Sequence, residues 1–228
     1  GVEMGKFFAD KGIKTAAIYG AFIPNPMHVY RTAGVLAGLG LSYGGATTEE
    51  DVVGLIFADQ GIDLSKISGD IKIVSYLQGY GDTTTDEINA AIQAAPEAFI
   101  SVGMATTFFT QQLNAAGIEF SDIDSFTKSN GEAITNGKLV YLAGKYSSSV
   151  GPAFALVMNA INGNVIRDAQ GNAVSLSQNY QVATDSETFD KFYKNDNGDN
   201  PIYSRDTLDQ IIGDTVTFDT INEVVASN

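Results

Sequence analysis

Along the chain, short apolar runs alternate with segments whose apolar positions recur every three to four residues. Parallel strands covered by helices produce that alternation, because such strands are buried on both faces while each helix buries one stripe. Residues 1–10, GVEMGKFFAD, place Val2, Met4, Phe7, Phe8 and then Lys11 at helical spacing with no capping residue ahead of them. The chain is therefore expected to start inside a helix, as a piece of a longer protein would. TAAIY (15–19) reads as a first strand, followed by a loop with Pro24 and Pro26 and a glycine-rich helix over about 27–39. IKIVSYL (71–77) is a second strand, and Asp82 with three threonines introduces a helix over 85–95. Residues 98–102 form a third strand, with a helix over 106–116 that closes at Gly117 as its C-cap. A weak fourth strand (118–123), a polar helix ending at Gly137 and a fifth strand (139–143) follow. The pattern predicts an α/β fold, a Rossmann-like parallel sheet with helices on both faces.

Two regions depart from simple alternation. Between 41 and 70, Thr47, Thr48, Glu49 and Glu50 make a start like a capping box, which predicts an inserted helix through Ala58 rather than an irregular loop. After the fifth strand come a polar turn (145–149) and an apolar helix (152–161) that stops at Asn162-Gly163. Val165 and Ile166 with a turn at 168–172 predict a hairpin leading into 175–182, and two short helices are expected around 189–194 and 205–212. NDNGDN at 195–200 reads as a turn. A calcium loop built on Gly198 fails, because Tyr193 would stand at the first ligand position and Ser204 where the bidentate glutamate belongs.

Composition narrows the function classes. A chain of 228 residues with 44% hydrophobic content can bury a sizeable core. Against 27 acidic residues stand 13 Lys and Arg, a net charge of -14 that repels polyanions and anionic membrane surfaces, so nucleic acid is excluded as a partner. With no cysteine there are no disulfides and no thiolate metal sites. Direct membrane insertion is not expected, since no run of 18 apolar residues occurs, and the N-terminal residues do not form a signal segment. The single histidine, His28, has no H-E-x-x-H partner, no serine sits in a G-x-S-x-G elbow, and no glycine-rich phosphate loop follows a strand. The reading is a protein that is not an enzyme and uses neither cofactor nor metal.

In an open parallel sheet, ligands bind beyond the carboxyl ends of the strands. Loops 20–31, 78–82, 103–107, 124–128 and 144–147 should share that edge. They carry polar and aromatic side chains suited to a sugar-like solute, which needs hydrogen-bond partners around its rim and flat apolar surface against its ring. His28 lies one helical turn before Arg31 and can face the same crevice.

The layout of GEAITNGKLVYLAGKYSSSVGPAFALVMNAING (131–163) resembles the point at which type I periplasmic solute-binding proteins, the family of ribose-binding-like ABC transporter components, cross a hinge between lobes. GKFFADKGIKTAAIYG (5–20) looks like the first helix and strand of the family's C-terminal lobe. MHVYRTAGVLAGL (27–39) resembles its pattern of an arginine three residues before a glycine that opens a helix, which makes Arg31 the donor of paired hydrogen bonds to the solute. Tyr80, in Gln78-Gly79-Tyr80, matches an aromatic platform against the ligand ring. In EAFISVGMATTFFTQQLNAAGI (97–118), Gly103-Met104 stands where many sugar-binding members carry Asn-Asp, and Met104 and Phe108 are read either as a more apolar pocket wall or as core. FSDIDSFTKSN (120–130) places Asp124, with Asp122 as rival two residues earlier, where an aspartate bonds ligand hydroxyls. Lys145, in LAGKYSSSVG, takes the place of a hinge glutamine. With Arg31 it implies an anionic ligand.

The resemblance thus implies residues 1–144 as a C-terminal solute-binding lobe, 145–183 as the hinge crossing with return elements of an N-terminal lobe otherwise lacking, and 184–228 as a tail with short helices. It implies an extracytoplasmic component, periplasmic or lipid-anchored, that closes on a sugar or anionic sugar derivative and delivers it to an ABC transporter permease. Two alternatives are the effector-binding core of a LacI-type repressor, which shares the fold, and a Rossmann-like enzyme working through His28 and Asp124.

Overall fold

The computed structural model describes residues 1–79, 85–198 and 201–227. The chain divides into two compact units, each taken here by itself. The first comprises Gly1–Asp124, Lys128–Ala143 and Ala183–Ser186, and the second Ser125–Thr127, Gly144–Val182 and Glu187–Asn228.

The first unit is built from α1 (Val2–Asp10), β1 (Thr15–Tyr19), α2 (Pro26–Gly38), β2 (Ser42–Tyr43), α3 (Glu49–Ala58), β3 (Ile67–Ser68), β4 (Lys72–Leu77), α4 (Thr85–Gln93), β5 (Ala98–Ser101), α5 (Ala105–Ala116), β6 (Glu119–Asp124), α6 (Lys128–Asn136) and β7 (Leu139–Gly144). With β8 (Gln181–Ala183), the main strands form a sheet in the order β4-β1-β5-β6-β7-β8, flanked by helices on both faces. β1 pairs in parallel with β4 on one side and β5 on the other, and β5 with β6. The strand order therefore reverses at β1, and the carboxyl ends of β1, β4, β5 and β6 share an edge. The chain leaving β1 and the chain leaving β5 run to opposite sides of the sheet, and such a reversal is where open parallel sheets place their ligands.

Continuous apolar runs put the strands in the interior: Ala16 to Tyr19 and all of β5 are buried, and Tyr19 meets Phe109 edge-to-face at 4.9 Å. α1 crosses α2 where Gly1 and Gly5 face Gly34 and Gly38. A Cβ at Gly38 would overlap the Val2 carbonyl oxygen, and one at Gly5 that of Val35, so the backbones approach only because these residues lack side chains. Gly34 thus lies in the interior of α2 instead of opening a helix. The expected inserted helix is present: Thr48 caps α3, its hydroxyl accepting from Asp51 N at 3.3 Å, and that hydroxyl donates to the Asp51 carboxylate at 2.6 Å, which takes the place of a capping box's reciprocal backbone bond. The short antiparallel pair β2-β3 flanking this insertion was not foreseen.

The second unit contains α7 (Gly151–Ile161), most of α8 (Ser186–Asn197), α9 (Arg205–Asp209) and α10 (Phe218–Ala226). Ala155, Ile211 and Ile221 form its buried centre, with Leu156, Leu208 and Val216 against it. Asn159 bridges the helices, donating to Ile211 O and accepting from Gly213 N, both at 2.8 Å. Phe126, Tyr146, Phe189 and Phe192 make a second, aromatic cluster. The opposite face of α7, with Phe154, Val157 and Ile161, is exposed, Ile161 to 71%.

Here the structure corrects the sequence reading. The hairpin at 165–173 reduces to one bridge, Arg167 to Ala173, around the turn at Asp168. Residues 195–197 continue α8 rather than forming a turn, and α10 is a third helix beyond Ser186. No helix of the described residues is long and apolar enough to cross a membrane.

Candidate functional site

The carboxyl edge of the first unit's sheet is organised by the start of α2. Pro26 occupies the first helical turn, where a missing N–H is harmless, and the Asn25 side chain accepts from Met27 N at 3.0 Å. This cap fixes where the next turn points. From it, the Arg31 guanidinium crosses to β6: Nη2 donates to Asp124 Oδ1 at 2.6 Å and Nη1 to Oδ2 at 3.3 Å. Nη1 also donates to Val102 O, just past β5, at 3.2 Å. One fork therefore ties three strand-end loops together.

Arg31 is 8% exposed and Asp124 32%, so the arginine is the buried support and the carboxylate the half-open partner. Two-point pairing of this kind is strong and directional, and its two charges cancel. Asp124 closes β6 at a φ of 99°, a conformation unfavourable for a residue with a Cβ, and the Arg31 fork holds it there.

His28 braces the loop after β1. Its Nδ1 lies 3.1 Å from Phe22 N and 3.2 Å from Phe22 O, so it bonds that backbone residue in either tautomer. Burial, the largest cause, holds its pKa below the ordinary histidine value, with the Arg31 charge adding to the effect. The residue stays a neutral hydrogen-bonding group near pH 7. Gly103 lets the loops after β1 and β5 close together, since a Cβ there would come within 2.8 Å of Ala21 Cβ.

Of the residues expected at this edge, the structure brings Arg31 and Asp124 into direct contact and sets His28 one helical turn before Arg31. Met104 is the N-cap residue of α5 and is exposed, while Phe108 is half-buried against Phe109. The two aspartates differ in burial. Asp122 is interior, its Oδ2 accepting from Asn130 Nδ2 at 2.8 Å and Thr106 N at 3.3 Å, and burial pushes its pKa up to about 6. Tyr80 lies outside the described residues. Lys145 belongs to the second unit, where its ammonium sits 5.4 Å from the Tyr180 ring centroid.

Sequence reasoning passed over Phe22, six residues before His28, and Tyr30, immediately before Arg31, both about half exposed. An aromatic residue in a proline-containing loop at a strand end was the available signal. Among the described residues no group of His, Asp and Glu is placed to hold a metal ion.

No family model matches the chain, and no curated protein matches it in sequence. Among solved structures, the chain is similar to an ABC transporter periplasmic solute binding protein from Actinobacillus succinogenes 130z with bound D-allose, at 16% identity and a TM-score of 0.53. The match covers 84% of this chain and 59% of that one, so this chain spans less than two thirds of that protein's length. At this identity the likeness is one of fold, and it agrees with the α/β architecture of the first unit.

Proposed function

We propose that this chain is part of an extracytoplasmic solute-binding protein of an ABC importer, and that the crevice at the carboxyl edge of its first unit takes a neutral, sugar-like solute. The observation that carries this reading is the Arg31–Asp124 fork at the strand-order reversal. It presents a half-open carboxylate, oriented by the buried guanidinium, that can accept from a sugar's paired hydroxyls, and Phe22, Tyr30 and Met104 supply exposed apolar surface. Because Asp124 already matches the charge of Arg31, the anionic ligand inferred from Arg31 with Lys145 gives way to a neutral one. The solute of the similar solved structure, D-allose, belongs to the same class.

In this reading the chain crossings at 124–125, 127–128, 143–144, 182–183 and 186–187 include the hinge, and closure on the solute is what a membrane permease recognises. The second unit is then part of a second lobe. Its uncharged helix α7, apolar on the face left exposed, fits a helix buried on both sides in a larger lobe. No chemistry on the solute is required.

The test is a thermal-shift and calorimetric panel on the full gene product: D-allose, D-ribose and D-glucose against D-glucuronate and ribose 5-phosphate. A ligand of the folded state raises the melting temperature by mass action. A neutral sugar is expected to give the largest shift, and Arg31→Lys, which keeps the charge but loses the fork, should weaken it by about tenfold or more. A larger shift with the anions, or none with any sugar, would refute the reading.

A further inference from the structure

The second unit carries a feature that the proposed function does not use. A cavity of about 390 Å3 opens beside Tyr146 and Tyr203, bounded by the segment that leads into β8 and by α10. Asn222, Val225 and Ala226 recur at i, i+3 and i+4, so one face of α10 forms a wall. Gln178, Asn179 and Gln181 supply the facing wall, and Gln178 is held by donating to Ser149 O at 2.9 Å.

Four residues with carboxamide side chains therefore line one space. Each holds a donor and an acceptor side by side, the pattern that a pair of neighbouring hydroxyls also presents. The side chains of Asn179 and Asn222 bond nothing else among the described residues. Both tyrosines are buried, and burial pushes their phenols above the ordinary value, so they remain neutral and offer flat ring surface with a polar tip. No charged side chain is among the described residues that line the cavity. Asp196, close to Tyr146, is engaged by the backbone N–H and the hydroxyl of Ser147. A charged solute entering here would lose hydration without meeting a counter-charge.

We propose that this cavity is a second binding site, selective for a neutral, polyhydroxylated molecule of monosaccharide size and independent of the Arg31–Asp124 crevice. The volume lies in the range of small-molecule pockets.

The test is a titration of the nitrogen-15-labelled chain with D-ribose, D-glucose, D-galactose and D-mannose, following the side-chain amide resonances of Gln178, Asn179, Gln181 and Asn222. At least one sugar should shift them saturably with a dissociation constant below about 50 mM, and D-glucuronate should not. The double substitution Asn179→Leu with Asn222→Leu should weaken that binding at least tenfold while the circular dichroism spectrum and melting temperature stay as in the parent. Arg31→Lys should leave these shifts in place, which separates this site from the one proposed above. Linear shifts without saturation, equal shifts with D-glucuronate, or shifts that vanish in Arg31→Lys would each overturn the proposal. If the leucine pair disturbs the fold, Asn222→Ala serves instead: it should weaken sugar binding here about tenfold, and unchanged binding would overturn the site.

Discussion

Asp122 and Asp124 stand two residues apart on β6 and do opposite work. Asp124 ends the strand with its carboxylate neutralised by Arg31, whereas Asp122 is buried among Thr106 and Asn130 with one oxygen, Oδ1, bonding nothing. Among the described residues no cation pairs with that interior carboxylate, and burial raises its pKa from 3.8 to about 6. A carboxyl whose folded pKa exceeds its unfolded value stabilises most below the unfolded value, and that stability is lost as pH rises through the folded value. The window here runs from about pH 4 to 6 and is worth roughly 2–3 kcal/mol at most. Asp122→Asn should therefore raise the melting temperature at pH 7.5, by about 5 °C, and the gain should close by pH 4, where the parent's carboxyl is protonated. Thermal melts of both proteins across that range check this, and a variant melting lower at pH 7.5 would contradict it. A two-residue spacing shows that both aspartates belong to one strand; which of them meets a cation depends on an arginine 93 positions away in sequence from Asp124.

At the scale of elements, the crossing of α1 on α2 is set by four glycines, and glycine there acts against the usual helix preference. Alanine favours an exposed helix over glycine by about 1 kcal/mol, because it has less backbone freedom to lose. Gly54 in α3 is exposed with open space around it, so Gly54→Ala should stabilise by roughly 0.5–1 kcal/mol. Gly38→Ala should instead destabilise by about 2 kcal/mol or more, since its methyl group meets the Val2 backbone. Denaturant melts of the pair decide it, and equal signs would mean that the crossing relaxes freely. The elements of the first unit were legible because strands buried on both faces give continuous apolar runs and caps such as Thr48 and Gly117 give local stop and start signals. α10 was not. Its segment TFDTINEVVA is rich in β-branched residues, and it is helical because Thr217 caps it and Ile221, Val224 and Val225 pack into the core of the second unit.

Over the whole molecule, the two units differ in how much interior they hold. The first encloses a sheet and its aromatic core, while in the second α9 and α10 rest on a small apolar centre, Ala155, Ile211 and Ile221, and α9 is only five residues long. Local opening free energy follows buried apolar contact, so backbone amides of α9 and α10 should exchange with solvent about a hundredfold faster or more than those of β1 and β5. Hydrogen exchange read by mass spectrometry checks this, and uniform protection would show one cooperative unit. The α/β class, the main strands of the first unit and a net charge that repels polyanions were determined by the chain itself, because periodicity, caps and net charge are local or additive properties. The pairing of Arg31 with Asp124, the burial of Asp122 and the carboxamide cavity were decided only by the tertiary structure. Each joins groups from segments distant in sequence, and strand order, which fixes those distances, leaves no periodic mark along the chain.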